Sequence, residues 1–261
     1  MEIRTNFLLN APDVIDILAF GVHPDDVELC CGGTLLRHIA LGYSVGLADL
    51  TRGELGTRGN ADLRTEEALS AANFMGARFR VQFNLRDGFF SQGEEELMAV
   101  IRLIRECRPS LVLANAVRDR HPDHGRAARL VADAAFYAGL SKVVTTGYHG
   151  QNQERWRPAM LMHYIQDHQL EPDIAIDISE YMDDKINLLQ CYASQFYQEQ
   201  SPEPATPISG ADFFETIRAN AKVVGRPCGF SYGEGFQLPV HAGIQDVFQS
   251  FPALGRTKNN S

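Results

Sequence analysis

The stretch Ile15-Asp-Ile-Leu-Ala-Phe-Gly-Val-His-Pro-Asp-Asp26 joins an apolar run to a group of side chains capable of chemistry. Residues 15–20 are typical of a buried strand. A helix is predicted at 35–41, opened by Gly-Gly-Thr at 32–34 and ended by Gly42. A buried strand followed by a helix is the first half of a βαβ unit. The polar loop between them should therefore lie at the carboxyl edge of a parallel sheet.

The same alternation continues along the chain. Further strands are predicted at 45–50, 81–85, 111–114, 160–165 and 174–178, and helices at 63–75, 94–107, 125–137, 180–196 and 211–224. This pattern indicates an α/β fold with a Rossmann-like, mostly parallel sheet flanked by helices. No linker separates two domains. We therefore expect one domain over residues 1–252 and a polar, disordered tail at 253–261.

Composition restricts the class of protein. The chain has 261 residues, 44% hydrophobic and 22% charged, with a net charge of −9. These values are typical of a soluble globular protein and argue against a nucleic-acid partner, which would require a basic surface. No apolar run reaches the ~18 residues of a membrane span, and no signal-peptide pattern is seen. The five cysteines form no Cys-x-x-Cys pair, which favours a reducing, cytoplasmic location.

His-Pro-Asp occurs twice, in His23-Pro-Asp-Asp26 and in His121-Pro-Asp-His124. One such tripeptide alone is typical of a turn with a helix cap. Here each follows a predicted strand and precedes a predicted helix. Both loops should therefore meet at the carboxyl edge of the sheet, where open α/β sheets bind ligands. The matched positions favour a functional site.

The two motifs together offer three imidazoles and three carboxylates. Such groups are zinc ligands, and a catalytic zinc keeps three protein ligands and an open position; two histidines and a carboxylate also suit iron(II). The adjacent pair Asp25 and Asp26 suggests divided labour, in which one carboxylate binds metal and the other accepts a proton from water. Of the arginines near this edge, Arg64 and Arg120 are expected to lie on loops there and to bind an anion.

Two other enzyme classes are disfavoured. The Gly32-Gly33-Thr34 turn lacks the Gly-x-Gly-x-x-Gly order of a dinucleotide site. The chain also lacks a Gly-x-Ser-x-Gly nucleophile elbow. The remaining histidines have no ligand-like spacing and are interpreted as structural or solvated.

Residues 17–28 and 119–125, which contain both motifs, resemble the signatures of the LmbE-like (PIG-L) family of zinc-dependent N-acetylglucosamine deacetylases. Residues 45–51, 173–179, 192–196 and 229–236 are similar, more weakly, to the bacillithiol-biosynthesis branch, which deacetylates N-acetylglucosaminyl-malate. The resemblance covers roughly residues 15 to 240. It implies a metal-dependent hydrolase that removes an acetyl group from a small amino-sugar substrate.

The resemblance also implies roles for individual residues. The implied zinc ligands are His23, Asp26 and His124, the general base is Asp25, the second catalytic group is His121 with Asp123 as its charge partner, and the substrate-binding residues are Arg64 and Arg120. A neighbouring carboxylate would keep His121 cationic near neutral pH. The chain departs from the pattern at Phe213, where related deacetylases carry a tyrosine. The sequence assigns none of Tyr192, Tyr197 and Tyr232 to replace its hydroxyl.

Two alternatives stay open. The first is a deacetylase of another N-acetylamino sugar or sugar conjugate. The second is a non-catalytic metal- or nucleotide-binding Rossmann-like module, against which Asp25 stands as an acid that a purely structural site would not need. A homo-oligomer is expected only by analogy with homologues.

Overall fold

The structure is a computed structural model that describes residues 3–196 and 203–246. Its strands are β1 (Thr5–Leu9), β2 (Ile17–Gly21), β3 (Val45–Asp49), β4 (Phe79–Phe83), β5 (Leu111–Ala114), β6 (Met160–Tyr164), β7 (Ile174–Asp177) and β8 (Gly233–Gln237). Its α-helices are α1 (Asp26–Ala40), α2 (Ala61–Met75), α3 (Glu94–Cys107), α4 (Pro122–Ala138), α5 (Met182–Leu189) and α6 (Phe213–Gly225). The strands form one sheet in the order β1-β4-β3-β2-β5-β6-β8-β7.

The centre of the sheet is parallel. Strand β2 pairs in parallel with β3 on one side and with β5 on the other, and β4 and β6 extend these pairs. The chain therefore changes direction across the sheet between β2 and β5, which is the kind of switch point where open α/β sheets bind ligands. The predicted single α/β domain with a mostly parallel sheet is confirmed.

Helices cover both faces of the sheet. One apolar core lies between the sheet and α1, α2, α5 and α6, and the other lies between the sheet and α3 and α4. Strands β2, β3 and β4 are buried along their whole length, as expected for parallel strands covered on two sides. None of the helices within the described ranges is both long enough and apolar enough to cross a membrane.

Two antiparallel strands are not predicted by the apolar pattern. Strand β1 pairs with β4 at one edge, and β8 lies between β6 and β7. The glycines of β8 weaken its strand pattern, but they are required by close packing. A Cβ at Gly235 would lie 3.0 Å from the Cβ of Pro172.

The helix predicted at 180–196 is shorter than expected. It consists of a 3-10 turn, Ser179–Tyr181, and α5, which ends at Leu189. Beyond it, the backbone N–H and hydroxyl of Ser194 donate to the carboxylate of Glu67 in α2 at 2.6 and 2.7 Å. Because these bonds hold the chain against α2, the helix does not continue past Leu189.

The first helix begins earlier than expected. Helix α1 starts at Asp26, directly after the first motif, and is kinked at Cys31. Gly32 and Gly33 lie inside it because Cβ atoms there would come within 3.0 Å of Leu188 and Ile178. Helix α1 can thus approach α5 closely. The tail predicted at 253–261, and the end of the domain beyond 246, lie outside the described residues.

Candidate metal centre

The two His-Pro-Asp motifs meet, as the sequence predicts. They follow the neighbouring strands β2 and β5 and open helices α1 and α4. The imidazole centroid of His23 lies 4.8 Å from that of His121 and 5.7 Å from that of His124. Three histidines are therefore gathered at the carboxyl edge of the sheet, at its switch point.

The ligand set implied by the resemblance has spacings that suit a metal ion. Nε2 of His124 lies 3.2 Å from Oδ1 of Asp26, and Nδ1 of His23 lies 3.9 Å from Oδ2 of Asp26. Two tetrahedral ligands about 2.1 Å from zinc are separated by about 3.4 Å. The ring nitrogens of His23, His121 and His124 also approach within 4.8 Å of one another. The arrangement fits a cation, and the identity of its ligands stays a prediction.

Electrostatics support the same conclusion. Burial lowers the pKa of His124, but Asp26 and Asp119 outweigh it and raise that pKa to about 10. Burial likewise raises the pKa of Asp26, yet His124 and His23 hold it well below its usual range. The carboxylates therefore require positive charge between them, which a divalent ion would supply.

Two aspartates outside the implied ligand set fix the imidazoles. Asp87 accepts a hydrogen bond from Nε2 of His23 at 2.9 Å, and Asp119 accepts one from Nδ1 of His124 at 2.5 Å. Because a carboxylate only accepts, Nδ1 of His23 and Nε2 of His124 remain free for a metal. The sequence alone assigns no such role to Asp87 or Asp119, because their spacing gives no signal for it.

Asp26 is anchored by four donors. Its Oδ2 accepts from the backbone N–H groups of Val22 and His23, both at 2.9 Å, and from Nδ2 of Asn115 at 3.0 Å. Its Oδ1 accepts from Nε2 of Gln166 at 3.1 Å. This second oxygen is the one that faces His124. Asn115 and Gln166 follow β5 and β6 and also escape sequence reasoning, because a lone amide carries no recognisable pattern.

Asp25 lies in a different environment from its neighbour. It is the N-cap of α1 with φ 115° and is only 7% exposed. A non-glycine residue in this region is strained, and such strain clusters at functional sites. Burial raises the pKa of Asp25 to about 7, although the guanidinium of Arg64 opposes the increase. Two adjacent carboxylates thus differ strongly in proton affinity, which is typical of an acid–base site.

The two arginines expected on loops are placed differently from each other. Arg64 lies in α2, not on a loop, and is buried, donating to Asp25 at 3.1 Å and to the carbonyls of Pro24 and Gly53 at 2.6 and 3.2 Å. Arg120 lies on the loop before α4. Its Nε donates to Asp167 at 2.5 Å, and both side chains are about half exposed.

His121 caps α4, and its Nδ1 accepts the backbone N–H of Asp123 at 3.3 Å. The carboxylate of Asp123 accepts from the N–H of Gly88 and from Arg126, both at 2.8 Å. Burial lowers the pKa of His121, and His23 and His124 lower it further, while Asp123 raises it. Asp123 thus favours the cationic ring, as expected, but burial and the two neighbouring histidines outweigh it.

A cleft of about 2310 Å³ opens onto these residues, and its far wall is formed largely by α6 and the segments around β7 and β8. Phe213 lines it and stacks on Phe196 at 5.7 Å. In the described ranges no tyrosine lines the cleft, and Tyr192 is fully buried. Tyr197 lies outside the described residues. The hydroxyl missing at Phe213 is thus not replaced by Tyr192 or Tyr232.

Known proteins with sequences similar to this chain differ in the reactions that their names describe. It is 26% identical over 247 residues to diacetylchitobiose deacetylase of Thermococcus kodakarensis, covering 90% of this chain and 88% of that protein. It is 29% identical over 194 residues to probable N-acetyl-alpha-D-glucosaminyl L-malate deacetylase 2 of Bacillus anthracis, covering 67% and 78%. It is also 26% identical over 217 residues to 4-oxalmesaconate hydratase of Pseudomonas putida, covering 74% and 78%.

The crystal structure of the conserved protein TT1542 from Thermus thermophilus superposes with a TM-score of 0.78 at 32% identity, covering 89% of this chain and 98% of that one. The sequence profile of the PIG-L family, described as GlcNAc-PI de-N-acetylase, matches residues 18–135. That segment contains both His-Pro-Asp motifs and every residue considered above for metal binding and proton transfer. The chain belongs to the PIG-L family.

Proposed function

We propose that this protein is a metal-dependent N-deacetylase that hydrolyses the acetamide of an N-acetylated amino sugar to a free amine and acetate. The observation that carries the proposal is the contrast between Asp25 and Asp26. Oδ1 of Asp26 lies 3.2 Å from Nε2 of His124, while the carboxylate of its buried neighbour Asp25 lines the same cleft and bonds to Arg64 at 3.1 Å instead. A buried proton acceptor beside a cation site is what amide hydrolysis requires.

His23, Asp26 and His124 would hold the ion, either zinc or iron(II). A divalent ion held there would polarise the acetyl carbonyl and acidify a water molecule. Asp87 and Asp119 keep the two imidazoles turned so that Nδ1 of one and Nε2 of the other face the ion.

Asp25 accepts the proton of the attacking water as the new C–O bond forms. Arg64 holds the carboxylate in place through the bond at 3.1 Å and the backbone through the carbonyl of Pro24. When the C–N bond breaks, the same proton passes from Asp25 to the nitrogen. The amine then leaves, and the acetyl group leaves as acetate.

His121 donates to the carbonyl oxygen as negative charge develops there. Its Nδ1 accepts from the backbone, so the proton of the neutral ring lies on Nε2. A fixed donor of this kind stabilises the transition state without carrying a charge of its own. In this proposal Asp123 orients the ring through its backbone N–H.

A finer proposal concerns the substrate. N-acetylglucosaminyl-L-malate, the substrate of a bacillithiol-type deacetylase, is supported by the 29% identity to the Bacillus anthracis protein. The cleft of about 2310 Å³ exceeds the ~300–1,000 Å³ of ordinary ligand pockets, so it admits a substituent on the sugar. Arg120, half exposed at its mouth, is a cation available to a malate carboxylate.

The experiment measures amine and acetate release from N-acetylglucosamine, N-acetylglucosaminyl-L-malate and diacetylchitobiose, with zinc- or iron(II)-loaded protein and with metal-free protein. We expect release only with metal, and greatest with the malate conjugate. A preference for diacetylchitobiose would support the deacetylase proposal but overturn the assignment of the malate conjugate as substrate. Absence of release from every sugar would contradict the proposal and favour a hydratase or a non-catalytic metal-binding module.

A further inference from the structure

Gln166 lies two residues beyond β6, at the same sheet edge as the two motifs, and its side chain lines the cleft. It is part of neither motif. Its Nε2 lies 3.1 Å from Oδ1 of Asp26 and 3.4 Å from Nε2 of His124. These are the two atoms that face the proposed ion, so the amide lies directly beside the reacting groups.

The orientation of this amide is fixed by its neighbours. Its Oε1 accepts from the backbone N–H of Ala116 and from Nδ2 of Asn115, both at 3.0 Å. A backbone N–H can only donate, and a carboxylate oxygen can only accept. The oxygen must therefore face Ala116 and the NH₂ group must face Asp26. The reverse assignment would place a donor against a donor.

An amide NH₂ carries two N–H groups, and Asp26 takes one of them. The other lies towards Nε2 of His124, the ring nitrogen that would bind the ion because Nδ1 faces Asp119. Once an ion occupies that lone pair, this second N–H has no acceptor within hydrogen-bond distance among the described residues. It is then a donor that faces the cleft and is available to a bound substrate.

We propose that Gln166 is a further catalytic residue, which donates its second N–H to the acetyl carbonyl oxygen as that oxygen becomes an anion. It would act with His121 and supply a donor in a cleft where Phe213 stands in place of a tyrosine. The inference rests on the proposed deacetylase function. Removing a single donor of this kind typically lowers kcat by about 10²- to 10³-fold.

Gln166→Met tests the proposal because it removes both N–H groups and retains most of the side-chain volume. Gln169→Met is the matched control, since Gln169 is on the same loop and lines the cleft but bonds only weakly to Asn220, at 3.4 Å. For both variants we would measure thermal unfolding, metal content, kcat and KM. A further probe is the Kd of a methylphosphonamidate of glucosamine, whose phosphonyl oxygen occupies the oxyanion position.

We expect Gln166→Met to fold and bind metal, with KM changed less than about threefold and kcat lowered about 10²- to 10³-fold. Its Kd for the phosphonamidate should rise by a similar factor, while Gln169→Met resembles the wild type. Two results would overturn the role of Gln166: an unchanged kcat and Kd, or a loss of metal in proportion to the loss of activity, which would mean that the amide only holds Asp26. Wild-type protein that binds metal but neither releases amine nor binds the phosphonamidate would overturn the deacetylase proposal itself, and the role of Gln166 with it.

Discussion

Arg64 and Arg120 lie on the same cleft and should have separable effects. Arg64 is buried and its guanidinium is shared among Asp25 and two backbone carbonyls, so it supports the base whatever the substrate carries. Arg120 pairs only with Asp167 among the described residues, at the exposed mouth. Arg64→Lys should therefore lower kcat/KM equally for N-acetylglucosamine and its malate conjugate, by about 10- to 150-fold, because lysine cannot form the fork.

Arg120→Lys is the comparison variant in the same assay. It should lower kcat/KM for the malate conjugate and leave kcat/KM for N-acetylglucosamine nearly unchanged, since only the conjugate offers a carboxylate. An effect of Arg64→Lys confined to the conjugate would instead make Arg64 a substrate-binding residue. An equal fall on both substrates for Arg120→Lys would remove the physical support for malate.

Among individual residues, the sequence predicts only those that belong to a recognisable motif. The repeated His-Pro-Asp is enough to single out three imidazoles and three carboxylates as candidates, and only the family resemblance selects His23, Asp26 and His124 among them as ligands. Asp87 and Gln166 act from other loops of the chain, and Asp119, two residues before the second motif, gives no sequence signal of its hydrogen bond to His124. The chemistry is therefore predictable, while the hydrogen bonds that set tautomers and orientations are not.

Helix α1 is kinked, and a side chain from β8 accepts hydrogen bonds from the backbone N–H groups at the kink. Its kink at Cys31 frees backbone donors, and the carboxylate of Glu234 accepts from the N–H groups of Gly33 and Thr34 at 3.0 and 2.7 Å. Lys185 of α5 donates to the same carboxylate at 2.5 Å. Helix α1 carries Asp26 at its start, so this buried contact ties the helix that positions Asp26 to the sheet.

We expect Glu234→Ala to lower the free energy of unfolding by about 3–5 kcal/mol, because it leaves a buried lysine and two N–H groups without a partner. Arg218→Ala is the control. It breaks an ion pair whose partner, Asp183, is 86% exposed, and should cost at most about 1 kcal/mol. Urea denaturation followed by circular dichroism measures both. Losses of similar size would show that the Glu234 contact is not the one that stabilises α1.

The boundaries of elements are harder to predict than their order. The parallel strands and most helices agree with the apolar pattern. The helix expected at 180–196 stops at Leu189 because Ser194 bonds to Glu67, a contact made across the fold. Strand β8 escapes prediction because glycine has low strand propensity, and only the close approach of Pro172 explains why glycine is needed there.

Over the whole molecule, the topology creates the site. The parallel pairing of β2 with β5 brings together two loops that are far apart in sequence, because adjacent parallel strands end at the same edge of the sheet. An ion held by His23, Asp26 and His124 would therefore link the loop after one central strand to the loop after the other. Asp25 lies beside these three proposed ligands and is not one of them.

The most direct test of the account compares metal content and amine release in Asp25→Asn and Asp26→Asn. Asparagine tolerates a positive φ, so the first variant should fold and keep its metal while losing about 10²- to 10⁴-fold in rate, as expected when a general base is removed. The second should lose both metal and activity. An Asp25→Asn protein without metal, or an Asp26→Asn protein that keeps metal and activity, would contradict the division of roles between the two aspartates.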